Sequence, residues 1–125
     1  MKPEGYTSVA PYLIVDDAAA MIGFLEQVFG AVELRRFPDE SGRLMHAEVR
    51  IDDTVVMLAD STEDWPAAVR AQVHVYVPDV DETYRRALEG GATSIQEPRQ
   101  TGDEDRRGGV EGPGRVTWWI ATRIG

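Results

Sequence analysis

An α+β fold of two βαβββ units is what this sequence predicts, and three observations predict it. The turn Val15-Asp16-Asp17-Ala18 is matched by Val77-Pro78-Asp79-Val80, about 62 residues on. Gly30-Ala31, after a first helical stretch, is matched by Gly91-Ala92 after a second, at an offset of 61. Each helical stretch follows a β-rich run and precedes further ones. Repetition at a fixed period is the mark of one supersecondary unit used more than once. A lone unit leaves one face of its sheet uncovered, so two units pair, within the chain or across a dimer.

The elements follow in order. Ser8–Val15 is β-rich and stops at Asp16 and Asp17, either of which can cap a helix. Over 18–29 the apolar residues Met21, Ile22, Leu25, Val28 and Phe29 fall on one helical face, and Gly30 ends the helix. Three strands are predicted next: Val32–Phe37, Leu44–Ile51 and Thr54–Ala59, with turns at Pro38–Gly42 and Asp52-Asp53. Unit one therefore spans about 8–60, and 61–71 is a linker that carries Trp65. Unit two, about 72–123, repeats the order. Gln72–Val77 is a strand, Asp79 or Asp81 caps a helix running to Glu89, Ala92–Gln96 is a strand, and Val116–Thr122 is the last one. The stretch 100–114, rich in glycine and charge, is predicted to be a loop at the mouth of a cavity, with Asp105 and Arg106 as a local ion pair.

Composition narrows the function. A chain of 125 residues is one domain of ordinary size. It has no cysteine, which excludes disulfides, thiolate metal sites and cysteine nucleophiles. The net charge of −9 argues against nucleic acid and against anionic membranes, whose phosphates call for clustered Lys and Arg. It suits solubility and is compatible with a cationic ligand. No apolar run reaches the roughly 20 residues of a membrane span, and Met1–Gly5 lacks an apolar leader. The expected location is the cytoplasm.

Several segments carry a resemblance: Tyr12-Leu13-Ile14-Val15-Asp16-Asp17-Ala18, Val28-Phe29-Gly30-Ala31, His46-Ala47-Glu48-Val49-Arg50-Ile51, His74-Val75-Tyr76-Val77 and Trp118-Trp119-Ile120-Ala121-Thr122. In this order the chain resembles the vicinal-oxygen-chelate superfamily, which includes glyoxalase I, bleomycin-resistance proteins and extradiol dioxygenases. The resemblance runs from about Pro11 to Thr122 and is strongest with the glyoxalase-like small bacterial branch. It implies a cupped mixed sheet with the helices on its outer face, and a homodimer. Fold alone does not choose between enzyme and binder. Metal-using members take ligands from the first and last strands of each unit. Carried over, those positions fall near Pro11, at Gln72, among Val56, Met57 and Leu58, and at Trp118 or Trp119. Only Gln72 has a donor. The resemblance therefore implies that the family metal site is lost and that no cofactor is needed. The turn Gly112-Pro113-Gly114-Arg115-Val116 also lacks the acid and histidine of the family's Asp-Pro-x-Gly-His.

Other residues can carry chemistry. His46 and Glu48 share a strand face by period-two alternation, as do Gln72, His74 and Tyr76. His46, Glu48 and His74 are candidates for a relocated metal or acid–base site, against the plainer reading of histidines bonded within a sheet. Trp118 and Trp119 point to opposite faces, so one faces the core and one the open side, where aromatic surface suits a flat or cationic ligand. The ligand-binding candidates are Gln72, His74, Tyr76, Trp118, Trp119, Trp65 and Arg106, with Tyr12 carrying the same ambiguity. The leading expectation is a metal-free small-molecule binder of the drug-binding, antibiotic-resistance type. The alternative is a glyoxalase- or dioxygenase-like enzyme acting through His46, Glu48 and His74.

Overall fold

The computed structural model describes residues 2–67, 70–100, 102 and 104–125. It separates into two compact units, Met1–Ala68 and Val69–Gly125. The boundary falls inside the predicted linker. Each unit is a βαβββ motif with its own four-stranded mixed sheet. No helix is long and apolar enough to cross a membrane among the described residues.

Unit one runs β1 (Tyr12–Val15), α1 (Ala18–Phe29), β2 (Val32–Pro38), β3 (Leu44–Ile51) and β4 (Thr54–Asp60). The sheet order is β1-β4-β3-β2: β4 lies parallel to β1 and antiparallel to β3. The apolar stripe foreseen on α1 is buried at Met21, Ile22, Leu25 and Val28, and α1 packs against β2, β3 and β4. Alternation sends Ala47 and Val49 of β3 and Val56 and Leu58 of β4 into that core. The opposite, helix-free side of the sheet is called the open face below.

Unit two runs β5 (Ala71–Tyr76), α2 (Val80–Glu89), β6 (Thr93–Gln100), β7 (Asp105–Glu111), a 3₁₀ turn at Pro113–Arg115 and β8 (Val116–Arg123). The order β5-β8-β7-β6 repeats that of unit one, with β8 parallel to β5. Trp118 is its largest fully buried side chain, in register with Val73 and Val110 on the helix side. Pro98 is tolerated in β6 because that strand ends its sheet, and the register slips between Gln96 and Arg99.

One expectation is corrected here. The predicted loop over 100–114 is largely β7, paired on both sides to β6 and β8. Its Arg-Arg-Gly-Gly core lacks β-branched residues, so local propensity hid a strand that tertiary pairing imposes. Asp105 and Arg106 are adjacent on it and therefore face opposite sides, which precludes the expected ion pair between them. Arg106 instead forms a double hydrogen bond with Asp81 of α2 at 2.9 Å.

The repeat is exact enough to be read atom by atom. Asp17 caps α1 by accepting from the Ala20 amide, and Asp79 caps α2 by accepting from the Glu82 amide. Gly30 and Gly91 both turn left-handed, with φ of 66° and 97°, to end the helices. Ala18 N–H donates to Asp60 Oδ1 at the end of β4, 2.8 Å, and Val80 N–H donates to Thr122 Oγ1 at the end of β8, 2.9 Å. Asp60 also accepts from Leu44 N–H at 2.7 Å, and Thr122 donates to Val77 O at 2.9 Å.

These side chains bind helix to sheet, and the cost of losing them is measurable. Asp60→Ala strands two backbone donors and should lower stability by about 2–3 kcal/mol. Thr122→Val should cost about 1 kcal/mol, and Thr122→Ser much less. Urea unfolding monitored by circular dichroism checks all three, and an Asp60→Ala protein as stable as the parent would refute the anchoring role.

Candidate functional site

Each open face gathers polar and aromatic side chains from three strands. In unit one the register sets Tyr12, Met57, Glu48 and Arg35 in one row across the sheet, with Phe37 and His46 paired beside it. Glu48 is buried, at 6% exposure. A carboxylate there needs partners, and it has three. Tyr6, from the segment before β1, donates its phenol to Oε1 at 2.5 Å; His46 Nε2 lies 2.8 Å from Oε2; Arg35 Nε stands 3.8 Å from Oε1. His46 Nδ1 in turn lies 3.1 Å from the Tyr12 hydroxyl, and its ring meets that of Tyr12 edge-on.

In unit two the rows are Gln72, Thr117 and Glu111; His74, Trp119 and Gly109; and Tyr76, Ala121 and Arg107. The six-membered ring of the Trp119 indole packs close against Gly109. A Cβ at Gly109 would sit 2.5 Å from the ring, so only glycine admits it. The indole N–H donates to Gln72 Oε1 at 2.8 Å, which fixes the ring in its plane. His74 and Tyr76 stack edge-on at 4.8 Å. Asp105, 5% exposed, accepts from the Tyr76 phenol at 2.8 Å and from Arg107 at 2.7 Å. Arg107 Nε also points at His74 Nε2, 3.1 Å away.

The structure thus brings Gln72, His74, Tyr76 and Trp119 to one face, and His46 with Glu48 to another. It separates the rest. Trp118 is fully buried under α2, because its neighbour Trp119 takes the open side. Arg106 is on the helix side with Asp81. Trp65 is 69% exposed in the segment after β4, and its amide bonds Thr62. Arg107 and Gly109 carry no local signal of a site, because they lie on the strand that propensity hides. Tyr6 gave no signal, since only the fold carries it over Glu48.

The family's metal positions do not fit a divalent ion. Gln72 Oε1 is committed to Trp119, and His74 Nε2 faces a guanidinium, whose charge opposes a cation. In unit one the position near Pro11 has no side-chain donor, and Met57 on β4 offers a thioether beside Tyr12. Among the described residues no group of three or more His, Asp or Glu is placed to hold a metal.

Electrostatics around Glu48 has a definite sign. Burial pushes its carboxyl up, but hydrogen bonds from Tyr6 and His46, with the charges of His46 and Arg35, outweigh this and hold it below the usual value of 4.5. The Glu48 bond in turn raises the Tyr6 phenol, which keeps its proton. A carboxyl more acidic when folded stabilises the fold above its unfolded pKa, and that gain is lost as pH falls through the folded one. The stability gap between the parent and Glu48→Gln should therefore be full at neutral pH and shrink below about 4.5. Urea titrations between pH 3 and 7 read it; a gap constant across that range would remove the charge from the account. Separately, Gly109→Ala should cost about 1–3 kcal/mol by overpacking and expel the Trp119 ring, seen as a red-shifted emission. An unshifted spectrum would contradict the close approach.

Similarity to known proteins agrees with this architecture. Residues 6–120 match the Glyoxalase/Bleomycin resistance protein/Dioxygenase superfamily. The chain is 36% identical over 127 residues to Rv0887c, an uncharacterised protein of Mycobacterium tuberculosis, covering 94% of this chain and 75% of that one. It is equally similar to Mb0911c of Mycobacterium bovis, of which it covers 84%. Among solved structures, TioX from Micromonospora sp. ML1 superposes with a TM-score of 0.79 at 24% identity, over 94% of this chain and 99% of that one. TnmS3 from Streptomyces sp. CB03234, described as an antibiotic binding protein, superposes with a TM-score of 0.72 at 19% identity, over 98% and 97%. These two likenesses speak for the fold. With the family matched along nearly its whole length, the chain belongs to the glyoxalase/bleomycin resistance protein/dioxygenase superfamily.

Proposed function

We propose that this protein binds a planar aromatic small molecule, without a metal, on the open face of unit two. The observation that carries this reading is the Trp119 indole, pressed onto Gly109 and locked by Gln72. A half-buried ring held in one orientation is a stacking surface whose ordering cost is already met in the free protein. His74 and Tyr76 extend it along β5. Stacking on such rings contributes about 0.5–1.5 kcal/mol per pair beyond the burial of area. The antibiotic-binding description of TnmS3 supports a ligand of this chemical size, as does membership of a superfamily that contains bleomycin-resistance proteins.

The earlier expectation of a cationic ligand finds less support than that of an aromatic one. Asp105 and Glu48, the buried acids of the two open faces, are each already paired with arginine. A cation would have to displace those partners. The metal-free part of the reading rests on donors that are committed elsewhere. The reading takes the protein to be a cytoplasmic homodimer, a state that sedimentation would report.

The test is a fluorescence titration with acridine, and with a permanently cationic N-methylacridinium, on a Trp65→Phe background that silences the exposed indole. Saturable quenching is expected; binding followed by the acridine's own emission, since Trp119→Leu removes the indole at the site, should weaken about tenfold or more in that variant and be unchanged by chelator. A stronger response to the cation than to acridine would restore the charge-selective version. Quenching that does not saturate, or that chelator abolishes, would reject the proposal.

A further inference from the structure

The open face of unit one presents a phenol, an imidazole and a carboxylate in line. Tyr12 Oη lies 3.1 Å from His46 Nδ1, and His46 Nε2 lies 2.8 Å from Glu48 Oε2. An ionised carboxylate only accepts hydrogen bonds. The proton between Glu48 and His46 therefore belongs to Nε2. A neutral imidazole protonated there has its lone pair on Nδ1, so the Tyr12 hydroxyl donates to it. Glu48 is fixed from its other side by Tyr6 and Arg35, so the imidazole cannot easily turn away. We propose that Tyr12 is an activated phenol whose proton is taken by His46, with Glu48 as the positioning residue, making this face an acid–base site for a small aromatic carbonyl compound.

The arrangement is nucleophile, base and orienting acid within hydrogen-bond reach of one another. Tyr12 is 50% exposed and the His46 side chain 28%, so a ligand can reach both. The Phe37 ring, 6.3 Å from His46, and Met57 beside Tyr12 in register give the ligand an apolar surface. The chain's other three tyrosines differ in kind. Tyr6 and Tyr76 donate to carboxylates, whose charge holds their protons on, and Tyr84 donates to the Ser94 hydroxyl. Tyr12 instead has its hydroxyl against an imidazole nitrogen. The inference concerns different residues from the Trp119 platform and stands or falls without it.

The probe is p-nitrophenyl acetate. Tyr12 Oη attacks the ester carbonyl while its proton passes to His46 Nδ1. The bond from carbonyl carbon to nitrophenolate oxygen breaks, nitrophenolate leaves, and O-acetyl-Tyr12 remains. His46 then releases the proton to solvent. Peptide mass spectrometry locates the acetyl group and gives a rate for each tyrosine. Tyr12 should acetylate about tenfold or more faster than Tyr84 and than free N-acetyltyrosinamide, as general-base assistance requires. His46→Gln should remove the excess. Glu48→Gln should lower it and Glu48→Asp partly restore it, while Tyr84 keeps its rate throughout as the internal reference. Tyr12 reacting no faster than Tyr84 in the unmodified protein overturns the proposal without recourse to any variant. An excess that survives His46→Gln in a folded protein overturns the role of the imidazole.

Discussion

Each unit is closed by its last strand, and everything else depends on where that strand lies. β4 inserts between β1 and β3, and β8 between β5 and β7. The insertion makes the pairing parallel on one side and antiparallel on the other. A parallel neighbour requires a crossover, and the helix supplies it. The end of the inserted strand then holds the start of that helix, through Asp60 in one unit and Thr122 in the other. A carboxylate does this in unit one and a hydroxyl in unit two. Both accept from the first amide of the helix, so the geometry is kept while the chemistry changes.

That constraint explains which parts of the fold were legible. Helices announce themselves locally: Asp17 and Asp79 cap them, Gly30 and Gly91 end them, and both ends can be read from the residues alone. The helix bounds over Ala18–Phe29 were therefore foreseen to the residue. β7 was not, because its reasons are distant. Gly109 is there to admit the ring of Trp119 from the next strand, and Gly108 lies against Gln96 and Pro98 of the strand before it. Two glycines that read locally as a loop are, in the sheet, the places where neighbours come too close for a side chain.

The site followed the same division. Alternation correctly paired His46 with Glu48 and aligned Gln72, His74 and Tyr76, since period two is a local rule. It also required that Trp118 and Trp119 part company, and the core took Trp118. What alternation cannot provide is the partner from another strand. Arg107 reaches His74 across β8, and Tyr12 reaches His46 across β4, both through register rather than sequence proximity. Tyr6 lies outside every strand and meets Glu48 only because the chain before β1 passes over it.

The two open faces are therefore one scaffold carrying two chemistries. Tyr12 and His74 occupy equivalent places in the first strands, since Tyr12 pairs with Met57 and His74 with Trp119 at a common offset. Across the sheet from each stands a residue of the third strand, His46 in one case and Arg107 in the other. In unit one the exchange joins a phenol to an imidazole, a pair between which a proton can move. In unit two it joins an imidazole to a guanidinium, which keeps its proton under all ordinary conditions. That second pair cannot relay a proton, but it orients His74 beside a fixed indole. The repeat supplies two positions where side chains from separate strands must meet. Which residues stand there decides whether the meeting exchanges protons or presents a surface for stacking.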